Sequence, residues 1–358
     1  MKRINIFVAE PNLFVREKLD KAINQTDGLS LINSKSTEHI EELGKEIVES
    51  EPDLLILGID NNDSDEMKLF LRVRQQLEYL PIIVLTPHSK SGAMAAIQAL
   101  KHGAVEYFPK TTRFSNSVRT LEFFQNRMIP VIKAVPRLNR TVLMTRNILD
   151  TKKKYTDPIP ADFFNTSMSR MELLVIAGCL GGIAPLYVLL SQLPKNLPVP
   201  VIILQHIEEL YSEILAEDLN EYTELEVKEA KEGDVLQNGI AYLAPGNYHI
   251  QIKKSDGDNR IFLSQQSDVA GFRPSIDVLL DSVAKQFGPN TLTVFLSGGG
   301  GDGTEGAKVI DIIGGQIIVQ NKQTSLLSDF NWNLQVHGIH EGSYPIERLA
   351  YEIGNRLH

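Results

Sequence analysis

The one cysteine of this 358-residue chain, Cys179, stands where an apolar run breaks into glycine: Leu174-Val175-Ile176-Ala177-Gly178-Cys179-Leu180-Gly181-Gly182. That order predicts a strand, a tight turn and a helix, which lifts a small nucleophile above a sheet edge and turns free helix N–H groups toward it. Two further segments have the same build. Val201-Ile202-Ile203-Leu204 leads to Gln205 and His206, and Thr293-Val294-Phe295-Leu296 leads to Ser297-Gly298-Gly299-Gly300-Gly301-Asp302-Gly303-Thr304. In an open parallel sheet the ligand crevice lies beyond the carboxyl ends of the strands, so a thiol, an imidazole and a carboxylate are placed to converge.

Such a set suits acyl transfer. A thiol near its ordinary pKa is largely protonated at neutral pH, so an imidazole takes its proton while a carboxylate fixes the imidazole's tautomer. Cys179 is the expected nucleophile, His206 the base and Asp302 its orienter. The turn Gly178, Leu180, Gly181 and Gly182 and the loop Gly298, Gly299 and Gly300 are expected to supply N–H groups to a tetrahedral oxyanion, because glycine leaves no Cβ to block a close approach. Taken singly, Cys179 also reads as a small buried apolar residue, His206 as a satisfied polar group and Asp302 as a turn residue. Their joint position at three strand ends favours a site.

The elements that must hold these residues are readable from periodicity. Strands are expected at 4–9, 29–32, 54–57, 82–85 and 105–108. Between and after them, helices are marked by Val15, Leu19, Ala22 and Ile23, by Ile40, Leu43 and Ile47, by Leu69, Leu71 and Val73, and by the spans 91–102 and 118–124. Five strand–helix pairs predict a doubly wound parallel α/β domain over residues 1–125. Residues 126–168 carry Pro130, Pro136, Pro158, Pro160 and the run Lys152 to Lys154, and read as a linker with a short packed segment at Met128 to Val135. Residues 169–358 form the second α/β domain.

Composition limits the function. Hydrophobic residues make up 42% and charged residues 23%, as in folded globular proteins, and the length suits two domains. A formal charge of −9 argues against a general nucleic-acid binder, and the weakly basic stretch from Arg127 to Lys154 reads as a solvated connector. No apolar run reaches the ~18 residues of a membrane span, and the chain enters a strand at once with no cleavable-signal pattern. With a single cysteine, this predicts a cytoplasmic protein. The 8 histidines include no HExxH spacing and one cysteine cannot build a thiolate cluster, so neither a metal nor another cofactor is expected.

Over residues 1–125 the chain resembles the flavodoxin-like receiver domain of two-component response regulators, with Thr86 ending the fourth strand, Tyr107, and Lys110 in Glu-Tyr-Phe-Pro-Lys. That family binds magnesium through an acidic pair after the first strand and an aspartate after the third, and phosphorylates the latter. Here the acidic pair is reduced to Ala9 and Glu10, and Gly58 stands at the phosphoacceptor place. The resemblance implies a pseudo-receiver, with Asp60 as the only nearby substitute.

From Met171 onward the chain resembles the catalytic domain of the chemotaxis protein-glutamate methylesterases, whose architecture is a receiver, a linker and this domain. The matching words are the glycine elbow, Gln205-His206, Ala244-Pro245-Gly246, Arg273-Pro274-Ser275 with Asp277-Val278-Leu279, Leu296-Ser297-Gly298 with Asp302-Gly303, and Gln320-Asn321. This resemblance implies hydrolysis of γ-glutamyl methyl esters, or deamidation of glutamines, on methyl-accepting chemotaxis receptors, with other signalling proteins as further partners. It puts Cys179 at the place of the family's serine, His206 at its histidine and Asp302 at its aspartate. Leu180 replaces a threonine, Gly299 a methionine, and Phe272 the histidine before Arg273. Two other readings are an inactive interaction module of the same fold, and a nucleotide-binding kinase, since Gly300-Gly301-Asp302-Gly303-Thr304 resembles the glycine-rich word of NAD and diacylglycerol kinases.

Overall fold

The computed structural model of the chain describes residues 3–110, 117–135 and 171–357. Most of the expected linker, and of the basic stretch ending at Lys154, lies outside the described residues. The chain divides into two compact units, one within 1–149 and one within 150–358.

In the first unit five strands, β1 (Ile4–Ala9), β2 (Leu29–Lys35), β3 (Leu54–Gly58), β4 (Ile82–Thr86) and β5 (Glu106–Pro109), pair in the order β2-β1-β3-β4-β5. All four pairings are parallel. β3 and β4 are buried at every position, which is why they read as unbroken apolar runs and not as alternating ones. This is the flavodoxin-like order, and its winding reverses between β1 and β3. Helices follow their predicted faces. Leu13–Asn24 starts at Asn12, whose side chain accepts from the Val15 N–H, and buries Val15, Leu19, Ala22 and Ile23. Asp65–Gln76 buries Met67, Leu69, Phe70 and Val73, so Phe70 takes the inward place expected for Leu71.

The last helix differs from expectation in length. Ser117–Phe123 does not end at Phe124 but passes through a π turn, Phe124–Met128, into Ile129–Ala134. Pro130 has no N–H to donate, and the widened turn before it absorbs the missing bond. Burial of Phe124, Met128, Ile129, Val131 and Ile132 carries the helix past the proline.

The second unit holds a seven-stranded sheet in the order β14-β13-β12-β6-β7-β9-β8. Its strands are β6 (Leu173–Gly178), β7 (Val201–Gln205), β8 (Glu226–Glu229), β9 (Ile240–Leu243), β12 (Thr291–Phe295), β13 (Gln316–Gln320) and β14 (Gly342–Tyr344), all paired in parallel. An antiparallel hairpin, β10 (His249–Ser255) with β11 (Asp258–Ser264), is an addition the sequence pattern did not suggest. The unit begins at the centre with β6, winds outward through β7 to β8 at the edge, inserts β9 between those two, then crosses back to β12 on the other flank. The reversal falls between β6 and β12, with β7 beside them, and these are the strands that deliver Cys179, Asp302 and His206. Among the described residues, no helix is long and apolar enough to cross a membrane.

Helices Ile276–Phe287 and Thr304–Ile312 meet at Gly306, where an added Cβ would lie 2.7 Å from the Leu280 Cβ and 3.2 Å from the Asp277 Cα. Alanine is the better helix former by about 1 kcal/mol. The missing space should reverse that preference, since overpacking typically costs about 1–3 kcal/mol. Gly306→Ala is therefore expected to lower the calorimetric melting temperature of the second unit. A raised melting temperature would show that the two helices part freely.

Candidate active site

Cys179 follows β6 directly and is held from both sides. Its N–H donates to the Ser297 carbonyl at 3.0 Å, and its carbonyl accepts from the Gly182 N–H at 2.9 Å and from the Gln205 Nε2 at 2.7 Å. The glycines make room for this clamp. A Cβ at Gly178 would stand 2.3 Å from the Gln205 Oε1, and one at Gly181, where φ is +76°, would stand 2.5 Å from Leu326 and 2.7 Å from the Ser297 Oγ. Gln205 and Ser297 thus fix the turn that carries the thiol. The Cys179 residue is 1% exposed and belongs to an apolar cluster against which Leu180 and Phe272 also pack.

Asp302 is the most heavily bonded group of the site. Its Oδ2 accepts from the His206 Nε2 at 2.8 Å and the Ile276 N–H at 2.8 Å, and its Oδ1 from the Ser275 Oγ at 2.7 Å and the Asp277 N–H at 3.2 Å. The last three donors form the N-terminus of helix Ile276–Phe287, which favours an anion. The arrangement is reciprocal, because the Asp277 Oδ1 accepts from the Gly306 N–H at 2.7 Å and so caps the helix that follows Asp302. Burial pushes the Asp302 carboxyl up, but the His206, Ser275 and Ile276 donors outweigh it and hold the group below its ordinary range. The Ser275 and Asp277 roles were readable in principle, since serine before a helix and aspartate in its first turn are start signals.

A carboxylate only accepts, so the His206 Nε2 carries the proton of that bond and Nδ1 is left to face Cys179. Nδ1 has no partner at full hydrogen-bond geometry among the described residues, yet the thiol is near enough to couple to the ring, as catalytic contacts without substrate commonly are. The His206 side chain is 6% exposed. Burial alone pushes its pKa down, but the charge of Cys179 and the bond to Asp302 prevail and raise it to about 9. On its open face the ring stacks on Phe272, with centroids 4.1 Å apart and planes 14° apart.

The expected oxyanion donors separate into two groups. The amides of Gly182, Gly298 and Gly300 are bonded within the fold, to the Cys179 carbonyl, the Leu327 carbonyl and the Asp329 Oδ2, and Gly178 sits in the β6 ladder. The N–H of Leu180, the residue after the thiol, is not among these internal bonds. Within the 298–302 loop, Asp302 would repel a phosphate, and the Gly298 and Gly300 amides are turned to internal acceptors. Among the described residues, no group of three or more His, Cys, Asp or Glu is arranged to hold a metal ion.

A second polar cluster lies at the β1/β3 reversal of the first unit. Lys110 reaches the Asp60 Oδ1 at 2.6 Å and the Glu10 Oε1 at 3.1 Å, and the Lys110 N–H donates to the Thr86 carbonyl at 2.7 Å. Glu10 is fully buried, and an added Cβ at Gly58 would stand only 2.1 Å from its Oε2. The Glu10 carboxylate therefore occupies the volume that a side chain at position 58 would need. Burial raises its pKa and Lys110 opposes that shift.

A parallel sheet with thiol, imidazole and carboxylate gathered at its reversal, in one chain with a flavodoxin-like, receiver-like unit, defines a two-domain α/β protein with an enzyme-like site. The comparisons make it particular. The CheB methylesterase family model matches residues 174–353, so the chain belongs to that family. A protein-glutamate methylesterase/protein-glutamine glutaminase of Trichodesmium erythraeum is 30% identical over 362 residues, covering 100% of both chains. One from Pyrococcus abyssi is 28% identical over 353 residues, covering 97% of this chain and 92% of its own. The crystal structure of the Thermotoga maritima CheB methylesterase catalytic domain superposes with a TM-score of 0.51 at 30% identity, covering 52% of this chain and 98% of that one.

The coupling between thiol and imidazole can be read by titration. NMR of labelled histidine should place the His206 midpoint near 9. In Cys179→Ala the midpoint should fall, because burial is then opposed by Asp302 alone. An unchanged midpoint would mean that the thiol does not act on the ring.

Proposed function

We propose that the chain is a protein-glutamate methylesterase and glutamine deamidase of chemoreceptors in which a cysteine, Cys179, takes the nucleophile's place. The observation that carries this reading is the linked series from Cys179 through His206 to Asp302, set at the reversal of a sheet whose family relatives bear that name. The Cys179 thiolate attacks the ester carbonyl, and its sulfur–carbon bond forms as the carbonyl becomes an oxyanion that accepts a hydrogen bond from the Leu180 N–H. As the oxyanion collapses, the bond to methoxide breaks and the His206 Nδ1–H supplies the proton that makes methanol. Water then attacks the thioester, His206 takes its proton, and the thiolate leaves a free carboxylate. With a glutamine substrate the leaving group is ammonia.

Leu180 and Phe272 bring no hydroxyl or imidazole to places where the family pattern has them, and one positioned donor is commonly worth about a hundredfold or more in rate. Turnover slower than that of a serine enzyme with the full pattern is expected. Purified protein should release methanol from methylated receptor, with activity falling as pH rises through about 9, where His206 loses the proton it must donate. Cys179→Ala and His206→Ala should each lose about a thousandfold or more. If neither the natural protein nor Cys179→Ser releases methanol, while Cys179→Ala still binds receptor, the inactive interaction module is the better account.

For the first unit we infer a pseudo-receiver. The residues do not fit a magnesium ion, since Gly58 offers no carboxylate and both nearby acids, Glu10 and Asp60, are engaged by Lys110. Incubation with acetyl phosphate and magnesium should leave the mass of the protein unchanged. A labile phosphoryl adduct on Asp60 would restore phosphorylation control.

A further inference from the structure

We propose that Phe272 is a positioning residue for His206: its ring, stacked face to face on the imidazole, fixes the plane of that ring and stabilises its protonated form. The inference rests on the reading of Cys179 and His206 as the reacting pair. It starts from geometry. The two centroids are 4.1 Å apart and the planes only 14° from parallel, which lays the imidazole over the negative face of an aromatic quadrupole. One edge of the imidazole is committed, Nε2 to Asp302, and the other couples to the thiol, so what remains to be controlled is tilt and flip out of that plane. A flat apolar ring blocks both motions without offering a competing hydrogen bond.

Surrounding contacts fit this role. Phe272 is half-buried and packs against the apolar cluster that contains Cys179. The charged groups facing His206 are Cys179, from the turn after β6, and Asp302, from the loop after β12. Arg273, next in sequence to Phe272, turns aside to the Gln265 and Gln266 carbonyls and the Asn247 Oδ1, so its charge is not spent on the imidazole. Gly300 lies beside the ring, where a Cβ would stand in ordinary contact with it at 3.7 Å. A histidine at 272 would instead place a second protonatable ring against the first. That ring would compete for the same proton and repel it once charged.

The chain's single cysteine allows both partners to be followed in the full-length protein. Thiolate is read by absorbance near 240 nm, with Cys179→Ala subtracted as the blank, and His206 by NMR of labelled histidine. A ring that stabilises the imidazolium favours it with the thiol neutral or ionised alike. Phe272→Leu, which keeps an apolar side chain but removes the aromatic face, should therefore lower the alkaline His206 midpoint by about half to one pH unit. It should leave the midpoint of thiolate formation in place. Phe272→Tyr, which keeps the face, should titrate as the natural protein does. Phe272→Met serves as a second non-aromatic variant should the leucine variant not fold.

A His206 midpoint unchanged in Phe272→Leu or Phe272→Met would overturn the proposal. So would an equal shift in Phe272→Tyr, or a joint movement of both midpoints, which marks general loosening of the site. The esterase reading fails separately: no methanol release from a protein whose thiolate and imidazolium titrate as expected would sink it and leave the role of Phe272 standing.

Discussion

The second unit turns on one buried carboxylate. Burying an unpaired ionised group costs several kcal/mol, so Asp302 can be ionised at 1% exposure only because four donors converge on it. Three of those donors belong to the start of a helix and the fourth is the imidazole. The charge that orients His206 is therefore the same charge that caps the start of helix Ile276–Phe287. Asp277 returns the favour to the helix that begins after Asp302, which locks two helices and the β12 loop into one piece. The imidazole is placed by a rigid body and not by a loose loop, which is what catalysis over fractions of an ångström requires.

Around this anchor two tendencies oppose each other. Apolar neighbours, among them Leu180 and Phe272, disfavour a thiolate, while an imidazolium beside the sulfur favours one. The rise of the His206 pKa against its own burial shows that pairing outweighs desolvation here. The chemistry of sulfur makes that balance reachable. A thiol ionises far more readily than a serine hydroxyl, so a cysteine site can dispense with some of the polar groups that a hydroxyl nucleophile needs. Cysteine at 179 and apolar residues at 180 and 272 are physically consistent with one another.

Much of this was legible in the sequence, for identifiable reasons. Strands buried on both faces announce themselves as apolar runs, and the position of a residue after such a run locates it at the sheet's edge, which is how Cys179, His206 and Asp302 could be grouped. The long-range details were not legible. Nothing in the order of residues says that Gln205 and Ser297 reach across to pin the cysteine turn, or that the Glu10 carboxylate fills the space left by Gly58, because both depend on side chains from strands far apart in sequence. The hairpin β10–β11 was missed, and the helix through Pro130 was judged too short because a π turn can absorb a proline that local rules read as a stop.

The double duty of Asp302 bears on how such chains are read across evolution. A residue that holds a fold together is retained by selection for folding, whether or not the protein still turns over substrate. Cys179 carries no comparable structural burden, since a thiol among apolar groups is replaceable by an inert neighbour of similar size, whereas His206 is one of the four donors on Asp302. In a lineage without catalysis, the carboxylate and the imidazole that satisfies it would outlast the thiol. The pair of Asp302 and His206 thus belongs to the scaffold as much as to any chemistry.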